Sequence, residues 1–309
     1  MKYFIITIDT EGDNLWQWDK KSPITTENSL FLPRFQKLCE DYDFKPVWLT
    51  NFEMINDPRY IDFIMDVEDR NMGELGMHLH AWNTPPHYEL PKIQTGLPYL
   101  IEYPEEIMRK KVEFMTSLIE QKTGIRPISH RAGRWSMDER YFKILKDFGY
   151  KVDCSVTPHQ NWQSSPGQTD VNGIDFSKYP EQPYWLYEEH TLLEVPVSIR
   201  PAKAFVMPDK FNLISLARSV RQAYRGYQMW LRPRGNNERQ MLRFIDMIND
   251  SDSDYIMFML HSSELMPGGS PTFRTIDDIE GLFATIDKVF AKASKIYKGA
   301  TLRDYHNLK

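Results

Sequence analysis

Two short stretches of this chain set ligand-type side chains two residues apart. In GELGMHLHAW, Gly73 to Trp82, His78 and His80 stand at i and i+2 at the end of a run that reads as a strand. In YFIITIDTEGD, Asp9 and Glu11 share that spacing where an apolar strand gives way to Gly12. Side chains at i and i+2 of an extended chain point the same way, so each pair can converge on one ion or one substrate group. Neutral imidazole and carboxylate oxygen are good zinc ligands, and catalytic sites often use three such groups plus a water. Of the two acids, one could bind a cation while the other stays free as a base. The competing reading is an acidic turn stabilised by capping or by Lys20 and Lys21. For the histidines it is a buried hydrogen-bonded pair, or one ligand beside one supporting residue. Trp82 reads as a pocket wall.

Further reactive residues fall at other strand ends. His261 closes DYIMFMLH and could serve as a general acid near neutral pH, or cap a turn. Arg131 in SHRAGRW and Asp153 in YKVDCS could form a buried ion pair that orients Asp9, or a purely structural salt bridge. Trp135 in SHRAGRW and Arg232 in WLRPRG are candidate substrate contacts, since aromatic rings and guanidinium groups suit sugars and phosphates. Between Arg218 and Arg243 lie seven arginines and one acid, Glu238. A solvated helix face is the default for such a run, and recognition of an anionic sugar, phosphate or partner is its rival.

The elements that must carry these residues alternate. Strand patterns at Tyr3 to Asp9, Lys45 to Thr50, the GELGMHLH run, Pro127 to Arg131, Tyr150 to Ser155, Leu192 to Ile199 and Asp254 to His261 are separated by helical patterns. The helices are expected near Glu27 to Asp41, Asp57 to Asn71, Glu105 to Lys122, Met137 to Phe148, Lys210 to Arg225, Asn236 to Asn249 and Ile276 to Tyr297. This order favours a largely parallel sheet with helices outside, an α/β barrel of about seven strand and helix pairs. In such a barrel, reactive side chains gather where strands end, as Asp9, His78, Arg131, Asp153 and His261 do. Two long Pro-bearing loops, Asn83 to Pro104 and Thr157 to Thr191, would shape the site. No linker composition divides the chain, so residues 1–309 read as one domain.

Composition narrows the function. The 309 residues are 41% hydrophobic and 26% charged, with a formal charge of −5, which argues against nucleic acid as the main partner. Cys39 and Cys154 are the only cysteines, so any metal must be held by histidine and carboxylate. The N-terminal residues fit neither a signal peptide nor a membrane span, and a cytoplasmic protein without a transmembrane segment is expected.

Taken in order, TIDTEG at Thr7, GELGMHLH at Gly73, HRAGRW at His130, YKVDCSV at Tyr150 and MLHSSE at Met259 resemble the polysaccharide deacetylase family, the NodB-like carbohydrate esterases. The likeness spans roughly the whole chain and looks closest to a branch associated with lipopolysaccharide or cell-surface polysaccharide synthesis, on the HLHAWN and LHSSELMPGGSP segments. It implies a distorted seven-stranded (β/α) barrel and a divalent cation, Zn²⁺ by first choice. It makes Asp9 the base, Arg131 the group that holds the base, Asp153 the acid that holds the arginine and His261 the general acid. Glu11 and His78 would be metal ligands. The family usually has a second histidine four residues after the first, where this chain has Trp82, so His80 is taken as the substitute ligand; His87, His130 and His159 are the reserves. The implied reaction is hydrolysis of an N-acetyl group, less readily an O-acetyl group, on an amino sugar or oligosaccharide, free or carrier-linked. The rivals are hydrolysis of a non-sugar amide on the same fold, and a sugar-binding protein without activity.

Overall fold

The computed structural model describes residues 1–19, 21–209 and 213–309, so Lys20 and the expected helix start at Lys210 lie outside the described residues. The strands are β1 Tyr3–Thr10, β2 Pro46–Thr50, β3 Glu74–Leu79, β4 Ser129–Ala132, β5 Val152–Asp153, β6 Tyr184–Trp185, β7 Leu193–Glu194, β8 Ile199–Ala202, β9 Tyr227–Trp230, β10 Tyr255–His261 and β11 Lys298–Gly299. The helices are α1 Leu32–Glu40, α2 Pro58–Asp69, α3 Glu105–Thr123, α4 Glu139–Asp147, α5 Leu213–Arg225, α6 Glu238–Asn249, α7 Ile276–Ala293 and α8 Leu302–His306. Two compact units result. One comprises Met1–Ile8, Gly12–Pro46 and Ser198–Thr301, the other Asp9–Glu11, Val47–Val197 and Leu302–Lys309.

The second unit is built on parallel strands in the order β2-β3-β4-β5-β7, with β6 antiparallel on β7. Strands β2 and β3 are buried along their whole length, as expected of parallel strands covered on both faces. Helix α2 starts where Asp57 accepts a bond from the Arg59 amide at 2.9 Å and Pro58 takes the first turn, and it buries Tyr60, Ile64 and Val67. Helix α3 buries Met108, Val112, Met115 and Ile119 at helical spacing and stops at Gly124, whose φ of 71° is the left-handed turn that glycine adopts without strain. Asp138 caps α4 by accepting from the Tyr141 amide at 2.9 Å.

In the first unit β1 lies between β10 and β11, and α7 packs Ile279, Leu282, Phe283, Ile286, Val289 and Phe290 inward. An aromatic cluster of Phe4, Phe35, Phe44, Phe258 and Phe290 fills its core. Strands β8 and β9 form an antiparallel pair that the sequence pattern did not suggest.

One expected strand is broken. The run Leu192 to Ile199 divides, so that β7 pairs with β5 while β8 pairs with β9. Pro196 lies at the break, where its missing N–H cannot continue a ladder.

Candidate metal centre

Parallel strands in register bring their C-terminal ends to one edge. His78 is the register partner of Arg131, and His130 that of Asp153, which in turn faces Glu194. Side chains alternate along a strand, so neighbours His130 and Arg131 point to opposite faces. His78 and Arg131 therefore share one face, whereas His130, Asp153 and Glu194 share the other.

On the first face Glu11, His78 and His80 converge, all buried, with their ligand atoms within 4.8 Å of one another. Glu11 Oε2 lies 3.2 Å from His80 Nε2 and 3.7 Å from His78 Nε2, and the two Nε2 atoms are 2.9 Å apart. A tetrahedral zinc site with bonds of about 2.0 to 2.1 Å has ligand edges of about 3.3 Å, so the donor set and its spacing fit a divalent cation. His78 Nδ1 donates to the Arg131 carbonyl at 2.9 Å, because a carbonyl can only accept, and this leaves the Nε2 lone pair directed at Glu11 and His80. Burial pushes His78 down to about 4, against the pull of Asp9 and Glu11, so the ring is neutral near pH 7 and able to ligate.

Beside this cluster, Arg131 donates from Nη1 to Asp9 Oδ1 at 2.6 Å and from Nε to the Cys154 carbonyl at 3.1 Å. Both side chains are buried. Burial opposes the guanidinium charge, but Asp9 overcomes it and raises the arginine further above its ordinary value. A base held this way keeps one oxygen fixed by the arginine and stays anionic next to a positive charge.

Two aromatic rings line this group. Trp82 stacks on His80, ring centroids 4.3 Å apart and nearly parallel, and Trp135 lies 5.1 Å from the Arg131 guanidinium. Arg134 and Trp135 both have left-handed backbones, with φ of 57° and 62°, so contacts rather than preference set this turn. Arg134 supplies them by donating to the carbonyls of Leu97 and of Pro166, the latter at 2.9 Å, and by covering the Tyr99 ring. Gly133 precedes it because a Cβ there would lie 2.5 Å from the Leu79 carbonyl and 2.7 Å from the His80 ring.

Asp153 differs from the expected direct partner of Arg131. It accepts from His130 Nδ1 at 2.6 Å and from Ser155 N and Oγ at 3.0 and 2.9 Å, and Glu194 faces it from the neighbouring strand. Its effect on Arg131 is that of a nearby negative charge. The strand register is the reason, since it puts Asp153 on the His130 face. Burial drives the Glu194 carboxyl well above the usual range and Asp153 adds to the rise, whereas the hydrogen bond from His130 holds Asp153 below its own despite burial. Of the two carboxyls, Glu194 is the one whose surroundings favour the neutral form. Sequence reading passed over Glu194, although a lone acid inside the apolar run LLEVPVSI was a visible signal.

The reserve ligands are engaged or remote from such a role. His130 has both ring nitrogens bonded, to Asp153 and, at 2.8 Å, to Tyr141; His159 pairs with Glu181; and His87 is exposed. Among the described residues, Glu11, His78 and His80 are the one such cluster of three.

His261 and Arg232 belong to the first unit. Arg232 Nη2 donates to His261 Nδ1 at 3.0 Å, and Glu264 Oε2 accepts from the His261 amide at 2.9 Å. The Trp16 ring stands edge-on to the imidazole at 5.0 Å. Burial would raise Glu264, but Arg232 and His261 outweigh it and keep the carboxylate low.

No family model matches the chain, and no curated protein matches it in sequence. Solved structures do. A candidate polysaccharide deacetylase from Mycobacterium smegmatis superposes with a TM-score of 0.56 at 14% identity over 99% of this chain and 90% of its own. A candidate glycoside hydrolase or deacetylase from Parabacteroides distasonis gives 0.62 at 9% identity over 99% and 71%. A 4-alpha-glucanotransferase from Thermococcus litoralis gives 0.50 at 12% identity over 100% and 38%. At these identities the likeness concerns the fold. The chain has the mixed α/β fold with a parallel sheet of the NodB-type (β/α) barrels, as its sequence led us to expect. Among the described residues no helix is long and apolar enough to cross a membrane.

Proposed function

We propose that this protein is a metal-dependent deacetylase that hydrolyses an N-acetyl group, and less readily an O-acetyl group, on an amino sugar of cell-surface polysaccharide metabolism. The observation that carries this reading is the buried Glu11, His78 and His80 cluster beside an aspartate held by a buried arginine. The fold shared with a candidate polysaccharide deacetylase supports the substrate class, and the glucanotransferase with the same fold shows that fold alone does not fix it.

A divalent cation, Zn²⁺ by first choice, would be held by Glu11 Oε2 and the Nε2 atoms of His78 and His80, where it supplies Lewis acidity to an acetyl carbonyl and to a water. Asp9, fixed by Arg131, accepts a proton from the attacking water. On the sequence resemblance His261 is assigned the proton donation to the departing amine, with Arg232 donating to its ring at Nδ1 and Glu264 holding its main-chain amide. Water is thereby added across the C–N bond, giving acetate and a free amine. Trp82 and Trp135 offer flat apolar walls for a sugar ring, and Arg232 remains a candidate contact for its polar groups.

Acetate release from N-acetylated oligosaccharides and nucleotide-linked amino sugars tests the proposal with Zn²⁺-loaded protein. Release that falls by 10²-fold or more in Asp9→Asn is expected, general-base catalysis contributing about 10² to 10⁴. Zinc-loaded protein that frees no acetate from any of these overturns it, and equal rates in Asp9→Asn remove Asp9 as the base.

A further inference from the structure

Helix α5 is oriented the wrong way for a helix of a soluble core. Its apolar residues recur at Leu213, Leu216, Ala217, Val220 and Tyr224, the spacing of one helix face. That face is turned outward: Leu213 is 81% exposed, Val220 55% and Tyr224 84%, with Ile214 beside them at 76%. The polar side packs inward. Ser219 is buried, Ser215 and Gln222 are half-buried, and Gln222 accepts from Gln240 Nε2 of α6 at 3.1 Å.

The flank of the apolar face carries Arg218, Arg221 and Arg225, all exposed, with no acidic residue on the helix and no ion pair to another described residue. The segment that leads into α5 exposes Phe205 and Met207 as well. A core-facing helix would bury the stripe, and a solvated helix would lack it. An apolar arc edged by guanidinium groups is the pattern of a helix lying in a bilayer interface, where the arc enters the acyl boundary and the arginines reach the phosphates. With 13 residues α5 rises about 20 Å, too short to span the hydrocarbon core.

We propose that α5 docks this protein on the surface of a bilayer containing anionic lipids. Charge selects this occupant over a second copy of the chain, because two stripes face to face would bring two sets of three unpaired arginines together. The stripe also carries Tyr224 at its end, an aromatic residue suited to the headgroup level.

Sedimentation of the full chain with vesicles tests this, using phosphatidylcholine alone and phosphatidylcholine mixed with phosphatidylglycerol. The protein is expected to partition onto the mixed vesicles, less so at high salt. The Arg218→Gln, Arg221→Gln, Arg225→Gln variant should bind on the order of a hundredfold more weakly, at about fivefold per arginine. A Leu213→Ser, Val220→Ser, Tyr224→Ser variant should lose partitioning, while its far-UV spectrum stays that of the parent because these positions are exposed. Parent protein that ignores the mixed vesicles overturns the proposal, as does equal partitioning of parent and serine variant. So does light scattering that shows a dimer which the serine variant dissolves, since a second copy would then cover the stripe.

Discussion

The Asp9 and Arg131 pair offers a prediction with a sign that can be worked out. Both groups are buried and joined at 2.6 Å, so neither can turn to water when its partner is removed. Two unit charges about 4 Å apart attract by about 4 kcal/mol at an effective dielectric of 20, and breaking a buried pair by removing one partner costs about 3 to 5 kcal/mol. Asp9→Asn keeps the shape and leaves a guanidinium that cannot lose its proton, so its cost should persist at every pH. Arg131→Met leaves a buried carboxylate that can take up a proton, so its cost should shrink as pH falls. The Asp9→Leu, Arg131→Met double variant removes both charges and should be more stable than either single variant. It still loses the bond from Nε to the Cys154 carbonyl, worth about 1 kcal/mol. The His78 contact survives in all three, because it uses the Arg131 main-chain carbonyl. Urea unfolding at neutral and mildly acidic pH measures this: with a slope of roughly 3 kcal/mol per molar, each single variant should lose about 1 M in midpoint at neutral pH. Single variants within 0.5 M of the parent, to within that rough slope, or a double variant that loses the sum of both, would refute a buried charged pair.

Other outcomes follow from the same geometry. His80→Ala and His78→Ala should each weaken Zn²⁺ binding by at least about 10²-fold in calorimetric titration, whereas Trp82→Phe, which keeps a ring over His80, should change it by only a few-fold. Gly133→Ala places a methyl group 2.7 Å from the His80 ring, and should lower stability by about 1 to 3 kcal/mol together with Zn²⁺ affinity; unaltered affinity would mean that the ring moves freely. In the metal-free protein His78 is lowered from 6.5 to about 4, so its contribution is complete above about pH 6.5 and is lost as pH falls towards 4. That gap corresponds to roughly 3 kcal/mol, and His78→Gln should flatten this part of the curve of melting temperature against pH.

The sequence carried the strand ends well and the strand neighbours poorly. Period-2 runs and Gly or Pro breaks locate β1, β3, β4, β5 and β10 closely, and the i, i+2 spacing of His78 and His80 does put both rings on one side. Helices were recovered wherever an apolar stripe faced inward, as in α3 and α7. What a single chain does not display is register. Whether Asp153 meets Arg131 or His130 depends on a one-residue offset between β4 and β5, and a period-2 side-chain pattern turns that offset into opposite faces. Strands of two residues such as β6 and β11 carry too few side chains for any period, and so left no mark.

Register also explains why a second buried carboxyl is tolerated behind the first. With Asp153 and Glu194 opposite each other on β5 and β7, burial first and the Asp153 charge second push the Glu194 carboxyl upward. His130 pulls Asp153 the other way. Its Nδ1–H favours the ionised Asp153, and Tyr141 at Nε2 fixes the ring, while Glu194 Oε1 accepts from the Val156 amide at 3.0 Å. The Asp153 charge lies close enough to reinforce the guanidinium but is hydrogen-bonded elsewhere, while Arg131 Nη1 donates to Asp9.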